Sequence, residues 1–213
     1  MIKGVIFDLD GVIVTTDNYH YLAWESMAKK ENIYFDRQIN ERLRGVSRFE
    51  SLNIILEKSK KIYSDKEKNK LAEYKNNIYK ELIKKLSSED ILPEVLKLLN
   101  FLKSKNIKIA IGSSSKNTFE ILKSLNILNM FDAVADGNQI KKSKPDPEVF
   151  LLASNKLGLE PKECLVIEDA ESGIIAGKRG NFKTLAVGSI VNKNIADYYF
   201  KDLSDSKIYD IFK

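Results

Sequence analysis

Short apolar runs and helix-spaced apolar positions alternate along most of this chain, and the alternation breaks in one place. The first run, Val5-Ile6-Phe7, reads as a buried parallel strand that stops at Asp8 and Asp10, after which Gly11 turns the chain away. From there to Ser88 the apolar residues recur only at helical spacing. Tyr19, Leu22, Ala23 and Met27 follow an N-cap expected at Asp17; further helices are expected over roughly Asp36 to Leu43 and Ser47 to Lys58. A long lysine-rich helix from Ser64 to Leu86 carries Leu71, Tyr74, Ile78, Leu82 and Ile83. After Ile91 strands and helices take turns. A helix from about Pro93 precedes the strand Ile107 to Ile111, and one with Phe119, Ile121, Leu122 and Leu125 precedes Ala133 to Ala135. A helix with Val149, Phe150, Leu152 and Ala153 precedes Cys164 to Ile167, and Glu171 to Arg179 precedes Thr184 to Val187.

Such alternation implies an α/β fold, a Rossmann-like parallel sheet covered on both faces. The all-helical block, 15–88, interrupts that core, 1–14 and 89–213, directly after its first strand. It is expected to be an inserted helical cap domain above the carboxyl ends of the strands, where open α/β sheets bind ligands. The links Gly11 to Thr16 and Ser87 to Leu92 would be its hinge, and the tail from Ile195 is expected to pack back on the sheet.

The length of 213 residues allows one domain with an insertion. The formal charge of +5 comes from lysines spread among nearly as many acids, without the aromatic-interleaved basic patch of single-strand binders, so no nucleic-acid partner is expected. The single cysteine, Cys164, lies inside an apolar run; it permits no intrachain disulfide and reads as a buried structural thiol in a reducing compartment. Met1-Ile2-Lys3 leads straight into the first strand, and no apolar run approaches the ~20 residues that span a bilayer. A cytoplasmic protein without a membrane partner is the expectation.

On an extended strand positions i and i+2 face the same way, so Asp8 and Asp10 would project together. Like charges that close resist ionising unless a cation sits between them, and oxygen ligands suit magnesium. Asp-Gly after a strand is also an ordinary turn signal; what lifts the pair above that is the polar groups that follow the other strands. Ser113 and Ser114 stand where a helix is expected to start, either as an anion site or simply as caps. Lys144 sits in Lys141-Lys142-Ser143-Lys144-Pro145-Asp146-Pro147. A lysine cluster is commonly surface decoration, but the prolines stiffen this one, which suits a fixed cation over a phosphate or carboxylate. Glu168 and Asp169 end another apolar run and offer a third oxygen ligand.

Phe7-Asp8-Leu9-Asp10-Gly11, Ser113-Ser114-Ser115-Lys116, Ser143-Lys144-Pro145-Asp146-Pro147 and Ile167-Glu168-Asp169-Ala170-Glu171-Ser172-Gly173 occur in that order, with a helical insertion after the first. Together they resemble the haloacid-dehalogenase-like (HAD-like) phosphotransferases, over a stretch from Lys3 to about Gly188. Within that superfamily the runs Tyr19 to Trp24, Asp36 to Glu41, Leu43 to Arg48, Leu71 to Asn77 and Ser113 to Asn117 are similar to those of the beta-phosphoglucomutase branch. The resemblance implies an isomerase that interconverts beta-D-glucose 1-phosphate and beta-D-glucose 6-phosphate, primed by a beta-glucose 1,6-bisphosphate intermediate. Asp8 would be the nucleophile that becomes an aspartyl phosphate, and Asp10 the general acid–base. Mg2+ would be held by Asp8, the backbone carbonyl of Asp10 and Asp169, with Glu168 close by, while Ser113 and Lys144 grip the transferring phosphoryl group. The implied substrate contacts are Thr16, His20, Trp24, Arg44, Gly45, Val46, Arg48, Ser51, Lys75, Ser114, Ser115, Lys116 and Asn117. Among them Arg48, Ser115, Lys116 and Asn117 would hold the non-reacting phosphate, and His20 would face Asp10.

Without the resemblance, a single histidine in an amphipathic helix reads as a packed or surface residue, and Trp24 as cap core or a sugar contact in equal measure. Two positions depart from the pattern: Thr15 stands where relatives commonly carry an aspartate, and Arg44 where the mutases suggest lysine. The alternative on the same core is a magnesium-dependent sugar-phosphate phosphatase. The partner implied is a small-molecule sugar phosphate, and a monomer is expected.

Overall fold

The computed structural model describes residues 1–43, 47–188 and 195–213. It comprises two compact units, Met1–Thr15 with Leu86–Lys213, and Thr16–Lys85.

The first unit is built on a sheet of β1 (Gly4–Phe7), β2 (Lys108–Gly112), β3 (Ala133–Ala135), β4 (Cys164–Glu168), β5 (Lys183–Val187) and β6 (Tyr198–Phe200). All pairings are parallel, in the order β3-β2-β1-β4-β5-β6. β1 is central and buried along its whole length, which is why its run has no polar face. Its register matters for the chemistry: Phe7 pairs with Ile111 on one side and Ile167 on the other. Asp8, Gly112 and Glu168 therefore leave the sheet at one level. Val149, Phe150 and Ala153 of a helix spanning Glu148–Leu157 pack with Ile6, Ala110, Cys164 and Val166 into the core of this unit. Cys164 is fully buried, and that burial pushes its thiol up to about 12, so it is an inert packing residue.

The tail does more than pack on the sheet. It supplies β6, parallel to β5, and the Tyr199 hydroxyl donates to the Gly188 carbonyl at 2.9 Å. The two segments flanking the helical insertion meet inside this unit: Val14 bridges Ile91, and the Leu92 N–H donates to the Ile13 carbonyl at 2.9 Å.

The second unit contains α1 (Asp17–Lys30), α2 (Arg37–Glu41), α3 (Arg48–Leu56) and α4 (Asp65–Ile83). Trp24, Met27, Leu52, Ile55 and Leu71 form its core. The helix starts follow capping chemistry. Asp36 accepts from the Ile39 N–H at 2.8 Å, Ser47 from the Glu50 N–H at 3.2 Å, and Ser64 with Glu67 forms a full capping box. Asp17 is not the cap expected of it. Thr16 takes that position, and Asp17 is the first helical residue, where its charge suits the positive end of the helix dipole. Among the described residues no helix is long and apolar enough to cross a membrane.

Candidate active site

The Asp8 N–H donates to the Ile167 carbonyl at 2.9 Å, so the ends of β1 and β4 are tied where their acidic residues begin. Between those ends lies Lys144. Its Nζ is 2.5 Å from Asp8 Oδ1 and 2.7 Å from Glu168 Oε1, with only 9 % of the lysine side chain exposed. The second Glu168 oxygen accepts from the Ala170 N–H at 2.8 Å. Burial pulls Lys144 toward the neutral form, but the two carboxylates more than offset it and its pKa is raised, so the ammonium is permanent. The segment that delivers it is fixed from the helix behind: the Glu148 carboxylate accepts from the N–H groups of Lys141 and Lys142 at 3.0 and 2.8 Å. Arg179 donates to the Pro145 carbonyl at 3.1 Å.

Asp169 completes the cluster. Ligand oxygens of Asp8, Glu168 and Asp169 all lie within 4.8 Å of one another. Burial, then the charges of Glu168, Asp8 and Asp10, raise the Asp169 carboxyl from the usual 3.8 to about 8. Burial and Asp8 likewise raise Glu168, against the pull of Lys144. Two carboxylates thus share one lysine with a third beside them, and the charge and donor set fit a divalent cation with oxygen ligands. Asp10 is half-buried and lies outside that three-membered cluster, in a turn closed by the Gly11 N–H donating to the Val14 carbonyl at 2.7 Å. Gly11 has φ +85°, and a Cβ there would run into the Asp169 carboxylate; the glycine permits both the turn and the close approach.

The serine segment corrects one expectation. The helix after it, α5, spans Thr118–Ser124, so Ser113 and Ser114 are not at a helix start and a helix dipole does not act on them. They belong to a loop that folds on itself: Ser113 Oγ accepts from the Ser115 N–H at 3.1 Å, and Ser115 Oγ from the Asn117 N–H at 3.2 Å. Ser113 and Asn117 are buried, and Lys116 is exposed. Ser114 Oγ is buried with no hydrogen-bond partner.

In the helical unit, Thr16, His20 and Lys75, all singled out by resemblance, meet Tyr79, a residue that sequence reasoning missed, and Lys75 also faces Trp24. Lys75 Nζ lies 2.7 Å from His20 Nδ1, 4.8 Å from the Trp24 ring and 4.7 Å from the ring of Tyr79, whose hydroxyl donates to Thr16 Oγ1 at 2.9 Å. The His20 and Tyr79 rings are 4.1 Å apart. Burial first, then Lys75 and Arg48, hold His20 well below its usual pKa. The ring is therefore neutral, Nδ1 accepts from Lys75, and the proton sits on Nε2, which becomes a donor. The one local signal for Tyr79 is its place four residues after Lys75, on the same helix face. Arg48 is half-buried at the start of α3 and Ser51 is buried one turn on. Arg44, Gly45 and Val46 lie outside the described residues.

The model of the haloacid dehalogenase-like hydrolases matches residues 5–187. The chain is 45 % identical over 205 residues to a beta-phosphoglucomutase of Bacillus subtilis, covering 95 % of this chain and 91 % of that protein. It is 32 % identical over 186 residues to a phosphorylated carbohydrates phosphatase of Thermotoga maritima, covering 86 % and 83 % respectively. The crystal structure of a beta-phosphoglucomutase from Clostridium difficile superposes with a TM-score of 0.90 at 43 % identity, covering 100 % of this chain and 96 % of that one. With Asp8, Lys144, Glu168 and Asp169 converging at the strand ends within the matched span, the chain belongs to the haloacid dehalogenase-like hydrolase family.

Proposed function

We propose that the protein interconverts beta-D-glucose 1-phosphate and beta-D-glucose 6-phosphate by passing a phosphoryl group through Asp8. The observation that carries the phosphoryl-transfer part is Lys144, bonded at once to Asp8 and Glu168 beside a third carboxylate. A carboxylate is a weak nucleophile toward an anionic phosphoryl group, and a fixed ammonium at its side neutralises the oxygens that repel it. Asp10 gives a proton to the departing sugar oxygen and takes one from the hydroxyl that attacks next, one group serving both half-reactions. Magnesium, held by Asp8, Asp169 and the Asp10 carbonyl with Glu168 close by, would supply further positive charge across the transferring group. Ser113 steadies the phosphoryl oxygens, Ser114 contacts the substrate, and Arg48, Ser115, Lys116 and Asn117 take the phosphate that does not react. His20, Trp24 and Lys75 serve the sugar, His20 through the Nε2 proton that its bond to Lys75 fixes. A beta-glucose 1,6-bisphosphate primer would charge Asp8 for the first turnover.

Isomerisation is favoured over hydrolysis by the likeness to the Bacillus mutase, which exceeds that to the Thermotoga phosphatase. Hydrolysis of small sugar phosphates is the second reading, favoured by the likeness to that phosphatase and, through the family resemblance, by Thr15 standing where relatives commonly carry an aspartate. Purified protein is incubated with beta-glucose 1-phosphate, magnesium and the bisphosphate primer, and both products are followed. Glucose 6-phosphate forming without free phosphate is the expected result; free phosphate released in step with substrate loss, with no isomer, overturns the mutase reading in favour of the phosphatase.

A further inference from the structure

Pairing between neighbouring chain segments continues beyond the ends of β2 and β3. The Ser113 N–H donates to the Ala135 carbonyl at 3.1 Å, the Gly137 N–H to the Ser115 carbonyl at 3.0 Å, and Asn138 Nδ2 to the Lys116 carbonyl at 2.9 Å. Gly137 lies so close to the Ser114 carbonyl that a Cβ there would overlap it. A peptide unit is planar, so holding a carbonyl holds the whole plane. Both planes flanking Lys116 are pinned, one by Gly137 and the other by the Asn138 side chain.

That side chain is itself oriented. Asp136 Oδ2 accepts from Asn138 Nδ2 at 2.8 Å, and Oδ1 from the Asn138 N–H at 3.0 Å. Asp136 is 1 % exposed. Buried side-chain oxygens need donors, and here both receive theirs from Asn138. Lys156 braces the same segment, its Nζ donating to the Val134 carbonyl at 2.6 Å and to Gln139 Oε1 at 2.7 Å. The bracing converges on a loop whose Ser114 Oγ is buried without a partner and whose Lys116 is exposed.

We propose that Asn138, held by Asp136, is a positioning residue that presents Ser115 and Lys116 to the phosphate group that does not react. The proposal rests on the reading of Ser115 to Asn117 as part of the place where that phosphate binds. Asn138 is exposed, so replacing it spares the core. Asn138→Asp keeps the size but sets an acceptor against the Asp136 carboxylate and the Lys116 carbonyl, and Asn138→Ala removes the contact altogether. Each variant is expected to raise KM for beta-glucose 1-phosphate about tenfold, the scale of one lost hydrogen bond beside a charged group, with kcat held within about twofold. Phosphorylation by acetyl phosphate, a donor with no second phosphate, is expected to keep its wild-type rate. An unchanged KM in both variants, with Lys116→Ala raising it, overturns the positioning role and leaves the phosphate site standing. An unchanged KM in Lys116→Ala as well overturns the site and the proposal together. A loss with acetyl phosphate equal to the loss with the sugar phosphate marks general disruption and also overturns the proposal.

Discussion

Replacing Lys144 by methionine would leave Asp8 and the fully enclosed Glu168 without the ammonium that now lies between them. Removing one partner of a buried ion pair costs about 3–5 kcal/mol, because the remaining charge is stranded in low dielectric. Urea denaturation of Lys144→Met without metal is expected to show a loss of that size, and Glu168→Gln a smaller one, since its amide oxygen still accepts from the Ala170 N–H. A stability of Lys144→Met equal to that of the wild type would show that the three charges are not coupled. Asp8, Glu168 and Asp169, the three acids that cluster, are legible in the sequence because an apolar run before each acidic pair marks where the backbone leaves the sheet. Lys144 is legible because Pro145 and Pro147 make its loop stiff. Tyr79 and Asp136 are not. The hydroxyl of Tyr79 reaches Thr16 across 63 positions, and only its place one turn after Lys75 sets it apart from Tyr74 in the lysine-rich α4; Asp136 is one acid in a loop until its burial is seen.

At the scale of elements, the helix starts at Asp36, Ser47 and Ser64 are readable, and the serine loop after β2 is not. Ser64 and Glu67 spell a capping box at the head of α4, and the box is present, the Ser64 N–H donating to Glu67 Oε2 at 2.9 Å. Ser64→Ala is expected to lower stability by about 1 kcal/mol in a chemical denaturation experiment, and no change would mean that the helix end is held by other contacts. The serine run after β2 misleads because serines before a helix are common caps, whereas here they bond one another and α5 starts only at Thr118. The strand β6 escapes notice for a different reason. Tyr198-Tyr199-Phe200 is too short for a period to show, and it becomes a strand through pairing with Leu185, Ala186 and Val187.

Over the whole molecule, the alternation of runs and periods predicts the parallel sheet because each strand must be buried on both faces and each helix on one. The clustered acids then impose a pH dependence. A carboxyl whose folded pKa lies above its unfolded value binds a proton that the unfolded chain has released. Its contribution is thus present below the usual 3.8 and lost as pH rises toward the Asp169 value of about 8. The metal-free protein is expected to lose thermal stability between pH 6.5 and pH 8, above the range in which the neutral His20 ring acts in the opposite sense. Magnesium is expected to raise Tm more at pH 8 than at pH 6, since at the lower pH it must displace the proton on Asp169. Equal increments at both would show that Asp169 does not ligate the ion. The central claim is that the phosphoryl group rests on Asp8 between its two positions on the sugar. Mass spectrometry of acid-quenched protein after incubation with acetyl phosphate and magnesium tests it most directly. One phosphoryl group on the peptide that contains Asp8, absent from Asp8→Asn and absent after chelation, is the predicted result; a phosphoryl group on another residue, or full isomerase turnover by Asp8→Asn, would contradict it.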